Sequence, residues 1–173
     1  TGRAALRGIS IACICLMAAL PPAFASTYYW VGGSGNWSDL AHWSKVSGST
    51  ALDDRQPATP GPNEDVVFDA NSCAVPASPT PYTVTIDDVA GTVYCHHMDW
   101  SGAAGATLSH SGSTSKTIYV YGSLTLGAGV TIAYTGSWRF AGAGTVKTAG
   151  KKLITAYFQG SGEYLLDGPL TVD

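Results

Sequence analysis

Five aromatic residues raise the first chemical question in this chain. Trp30, Trp37 and Trp43 crowd the stretch YYWVGGSGNWSDLAHWS at residues 28–44, and Tyr119 and Tyr121 share one face of KTIYVY. An indole has a large apolar face and a single N–H donor, so the three tryptophans could stack on a sugar or seal the end of a core. The cap is the preferred reading, and both hold if one ring stays exposed. Strand alternation puts Ile118 and Val120 opposite the two tyrosines. If the aliphatic side is the core, the tyrosines form an outward strip suited to a glycan or a cell-surface partner; if the tyrosines are the core, no strip exists, and alternation does not choose.

Other chemistry is thinly supplied. Along TVYCHHMDW, alternation groups Cys95, His97 and Asp99 on one face and Tyr94, His96, Met98 and Trp100 on the other. The first group has metal-ligand types, yet zinc requires a further convergent ligand. Asp65, Asp69, Asp87 and Asp88 offer oxygens suited to calcium, but no repeated Asp-rich motif frames them, and turn or strand-end roles explain them equally well. No metal and no cofactor are expected. Glycoside hydrolysis needs paired carboxylates, and Glu64 and Glu163 are the only glutamates. Arg139, Lys147, Lys151 and Lys152 read as turn residues without an acidic cluster beside them. No Gly-x-Ser-x-Gly, His-Glu-x-x-His or phosphate loop occurs, so catalysis is not expected of this segment.

The elements that must position these residues begin after an export leader. Arg3 and Arg7 precede the apolar run ISIACICLMAAL, and Ala23-Phe24-Ala25 reads as a cleavage site, so residues 1–25 are expected to be a signal peptide. No later run reaches the roughly 18 residues a membrane helix requires. The remainder is expected to be secreted or held at a cell surface. Cys13 and Cys15 leave with the leader, and in an oxidising compartment Cys73 and Cys95 are expected to pair as a disulfide. Removing the leader leaves seven basic residues against twelve acidic ones, a formal charge of −5, which argues against a nucleic-acid partner. The chain lacks an initial Met and ends just after LTV, so it reads as the front of a longer protein. Oligomeric state is left open.

Residues 26–81 are expected to form a capping and loop region, proline-rich in its second half around the strand signal DVVFDA. From 82 to 173 short period-2 segments such as YTVTID, KTIYVY, VTIAY and SWRF follow one another between Gly and Ser, without a helical pattern, which argues all-β. Gly122, Gly136, Gly150 and Gly162 each open a short strand, at intervals of 14, 14 and 12 residues. Taken about two to a coil, these units predict the start of a parallel β-solenoid, with glycine providing positive φ or close backbone approach at the corners. Such a stack has an open end that must be closed.

YYWVGGSGNWSDLAHWS, then GPNEDVVFDA, PYTVTIDD, MDWSGA and YVYGSLTL, taken in this order, resemble the N-terminal region of large bacterial secreted proteins of the parallel β-helix type, autotransporter-like or adhesin-like, which open with a Trp-Gly-Gly-x-Gly-x-Trp element. The resemblance covers residues 28–173. It implies a β-helix with an aromatic N-terminal cap and a structural, adhesive function, the alternative being a carbohydrate-binding or polysaccharide-degrading β-helix with its catalytic residues elsewhere. Such proteins carry Asn before the last Trp, where this chain has His42, so the turn is expected to be held differently here.

Overall fold

The computed structural model describes residues 26–73, 81–112 and 116–172; the leader expected at 1–25 lies outside them. The described chain is all-β, with strands of two to five residues and two single 3-10 turns, Leu40–His42 and Leu52–Asp54. Strands this short follow from the Gly, Ser and Asp that interrupt every apolar alternation.

The largest sheet contains β1 (Thr27–Trp30), β3 (Trp43–Ser44), β4 (Asp65–Val67), β7 (Met98–Asp99), β10 (Leu124–Thr125), β13 (Gly144–Lys147) and β16 (Tyr164–Leu166), ordered β3-β1-β4-β7-β10-β13-β16. A second holds β2 (Gly35–Asn36), β5 (Tyr82–Ile86), β8 (Ala106–His110) and β11 (Thr131–Ile132). The third holds β6 (Thr92–Cys95), β9 (Thr117–Val120), β12 (Ser137–Phe140) and β15 (Thr155–Phe158), while β14 (Lys152–Leu153) pairs with β17 (Thr171–Val172). Among these strands only β1 with β3 is antiparallel. Every parallel neighbour is the strand three further along the chain, as in β4 with β7, β5 with β8 and β6 with β9.

That rule stacks equivalent residues. Val66, Met98, Leu124 and Val146 are register partners in succession, and all four are buried. Val93, Ile118 and Trp138 form a second buried column, and Cys95, Val120 and Phe140 a third. Each column hides apolar surface only because a neighbour lies on either side of it, so burial and parallel pairing reinforce one another.

The register also corrects the repeat. Met98, Leu124, Val146 and Leu166 are successive partners, so the period is 26, 22 and then 20 residues and contains three strands. The units opened by Gly122, Gly136 and Gly150 precede β10, β12 and β14, which lie in three different sheets. They mark corners of a period rather than repeats of one another. Close approach explains Gly162, where an added Cβ would collide with the carbonyl oxygen of Gly142. Gly150 differs: it has φ of 77° with open space around it, a left-handed turn.

The disulfide expectation is overturned. Cys73 and Cys95 are both free and both buried. The Cys95 thiol faces the core and contacts Tyr119 O at 3.7 Å, while Cys73 Sγ contacts Ala70 O at 3.4 Å. Each sulfur sits in its own apolar setting as a small hydrophobe. No helix among the described residues is long and apolar enough to cross a membrane.

Candidate functional site

The tryptophan cluster is built by one tight reversal. β1 carries Trp30 to Gly32 and Gly33, whose φ values of 82° and 81° are open to glycine and strained for other residues. Trp30 Nε1 donates to Gly33 O at 2.7 Å, and Trp43 Nε1 donates to Trp37 O at 2.9 Å, so both indole N–H groups are satisfied within the reversal itself. The rings pack edge to face, Trp43 lying 5.0 Å from Trp30 and 4.8 Å from Trp37 between centroids. Phe68 meets all three and stacks on Trp100 beyond them. Trp30, Trp37 and Trp43 are 0, 1 and 0 % exposed. Their faces are occupied by other side chains, so none is open as a sugar platform in this arrangement.

His42 stands in the position where the resemblance places Asn, and it holds the turn from outside. Its ring stacks on Trp30, and its Nδ1 donates to Val31 O. Gly35 makes room for that ring, since a Cβ there would collide with it.

Metal-ligand types converge at a corner that strand alternation misjudged. β6 ends at Cys95 and β7 begins at Met98, so His96 and His97 occupy a bend, where alternation lapses. Cys95 then points into the core, and Asp99 accepts the Ser101 amide; the predicted Cys95, His97, Asp99 group does not form. Instead Asp65, His96 and His97 bring potential ligand atoms within 4.8 Å of one another. These atoms already have partners. Asp65 Oδ1 accepts from His96 Nδ1 at 3.0 Å and from the His97 amide at 3.1 Å, and His97 Nδ1 accepts the Ser123 amide at 2.7 Å. An accepting Nδ1 leaves the His97 proton on Nε2, which takes that ring out of a ligand set. The cluster is a hydrogen-bonded joint between two sheets.

The other aspartates weighed for calcium, and Glu64, are similarly engaged. Asp87 accepts the amide and hydroxyl of Ser38, Asp88 pairs with the buried Lys116, and Asp69 accepts from Ser47 and Asn71. Glu64 accepts the Gly61 amide. They are turn and strand-end carboxylates rather than one calcium cage.

The outer face of the third sheet is different in kind. Ile118 and Val120 are fully buried and the tyrosines lie outside, which settles the side that alternation left open. Parallel register then aligns Tyr94, Tyr119, Arg139 and Tyr157 in one row, beside a second row of Thr92, Thr117, Ser137 and Thr155. Tyr94 and Tyr119 stack at 5.3 Å and 23°, and Tyr121 stacks on Tyr119 from the side. The guanidinium of Arg139 lies 5.8 Å from the Tyr119 ring centre and 4.8 Å from that of Tyr157. Arg139 therefore sits in a strand, half-buried on the outward row, and not in a turn as expected. Sequence reasoning found Tyr119 and Tyr121 but missed Tyr94, Arg139 and Tyr157; only pairing across 18 to 25 residues brings them together. At the Tyr94 end the row borders a cleft of about 380 Å³ lined by Ser38, Thr59, Pro60, Ala90 and Thr92, with the nearly buried Trp37 in its wall.

Comparison with protein-family models, with characterised proteins and with solved structures finds no match.

Proposed function

We propose that this chain is an exported, non-enzymatic, structural and adhesive segment built as a β-solenoid. In this reading the tryptophan reversal closes the first coil, and the outer face of the third sheet meets a glycan or cell-surface partner. Pairing of each strand with the third strand along the chain, through three parallel sheets, is the pattern expected of successive coils with three sides. The fully buried tryptophans at the β1 end suit a cap, because an uncapped stack would wet its core there. The order of motifs from YYWVGGSGNW to YVYGSLTL supports secretion and adhesion by resemblance.

The observation that carries the adhesive part is the row Tyr94, Tyr119, Arg139 and Tyr157. Tyr94 and Tyr157 are 38 % and 46 % exposed, and an ordered aromatic row left in water is the kind of surface that contacts a partner. The test is retention of the protein on a glycan array and on intact bacterial and host cells, compared with the double variant Tyr94→Ser, Tyr157→Ser. The wild type should be retained on at least one surface, and the double variant should lose that retention while keeping its thermal midpoint. A wild type retained nowhere, or a double variant retained equally, would remove the adhesive reading.

A further inference from the structure

We propose that the ligand of this face is an acidic polysaccharide, a chain bearing carboxylates on its sugar rings, and that Arg139 selects it; the inference rests on the adhesive reading. Arg139 has tyrosine rings over its guanidinium from the rungs on either side. The fork carries five N–H donors along its edge. The described residues offer that edge no carboxylate. Their ion pairs involve His42, His96, Lys116 and Lys147, each with its own aspartate. A guanidinium partly desolvated by aromatic faces and lacking an anion is prepared to take one from outside.

The rest of the face fits the same ligand. None of the eight residues in its two rows is acidic, although acidic residues outnumber basic ones in the chain, twelve to nine. A polyanion can therefore lie along this face without meeting a like charge. Threonine and serine hydroxyls flank the guanidinium in the adjacent row, and parallel strands repeat them about every 4.8 Å, a spacing comparable to that of rings in an extended polysaccharide. Tyr119 lies between Tyr94 and Arg139, so in the middle of the row recognition falls to hydrogen bonds and charge.

Polygalacturonate, alginate and hyaluronate are the probes, each compared with its carboxyl-reduced, neutral counterpart by affinity electrophoresis and titration calorimetry. At least one of the three should bind the full chain, its reduced form should bind about tenfold more weakly or not at all, and Arg139→Gln should weaken binding by about tenfold or more. Arg139→Lys should recover only part of that loss, because an ammonium cannot stack as a plane between two rings. Circular dichroism and the thermal midpoint establish that each variant is folded. Equal binding of native and reduced polymers, or an unaffected Arg139→Gln, would overturn selection of acid while leaving adhesion standing. Absence of binding to all six polymers would overturn the proposal, and absence on the array and cells as well would overturn the adhesive reading beneath it.

Discussion

The imidazole of His42 lies flat on the indole of Trp30, with ring centres 4.6 Å apart and planes 8° from parallel. The same ring donates from Nδ1 to Val31 O at 2.7 Å, and the Val31 amide donates back to His42 O at 2.9 Å. One side chain thus ties β1 to the 3-10 turn and covers a tryptophan face. His42→Ala removes a ring stack of about 0.5–1.5 kcal/mol and a hydrogen bond of similar net value. The expected loss is about 1–3 kcal/mol, read from the urea midpoint by tryptophan fluorescence; an unchanged midpoint would refute the role.

Phe68 stacks on Trp100 at 3.5 Å and 6°, while its other contacts are Trp30, Trp37 and Trp43. It is an aromatic bridge between the tryptophan reversal and Trp100 of the next rung. Phe68→Ala should cost about 3–5 kcal/mol, as deletion of a fully buried ring does. Equilibrium unfolding should show one transition in the wild type, and in the variant the tryptophan signal should be lost at lower denaturant than the strand signal.

The cysteines give a chemical test. Burial pushes the Cys95 thiol well above its ordinary range, with the Asp65 carboxylate adding to the shift, and the thiolate is the reactive species. Cys95 should resist a thiol reagent in the folded protein and react fully after denaturation. Alkylation and non-reducing mass mapping should recover Cys73 and Cys95 as separate modified peptides. A linked Cys73–Cys95 peptide would restore the disulfide.

Alkaline pH should destabilise the fold through its tyrosines. Burial raises the phenols of Tyr28, Tyr134 and Tyr164, and raises Tyr82 to about 12. An unfolded phenol ionises near pH 10, so these groups favour the folded state fully below that pH. Their contribution falls as the pH rises from 10 towards 12, where the unfolded chain gains charge that the folded one resists. Tyrosinate absorbance should show a fraction of the nine tyrosines ionising only as strand dichroism disappears. Ionisation of all nine near pH 10 with intact dichroism would contradict it.

Much of the fold was legible, and specific residues show where legibility stopped. Alternation in YTVTI and KTIYVY identified β5 and β9 because period 2 survives in any half-buried strand. The same alternation failed at His96 and His97, since a corner has no fixed side-chain period. The glycine spacing pointed to repetition but misjudged its length, because corner glycines outnumber periods. Two buried thiols looked like a bridge because residue type and compartment say nothing about the direction in which each sulfur points.

By itself the sequence determined an all-β chain of short strands, a tryptophan-rich reversal, and a choice between two faces for Tyr119 and Tyr121. Those are local properties, set by side-chain period and turn chemistry within about ten residues. Tertiary structure alone decided that Ile118 and Val120 are the core, that Cys73 and Cys95 lie apart, and that Arg139 stands between Tyr119 and Tyr157. The reason is physical: a row across parallel strands is made of residues 18 to 25 positions apart, and their alignment depends on the register of every intervening loop, a quantity no local pattern encodes.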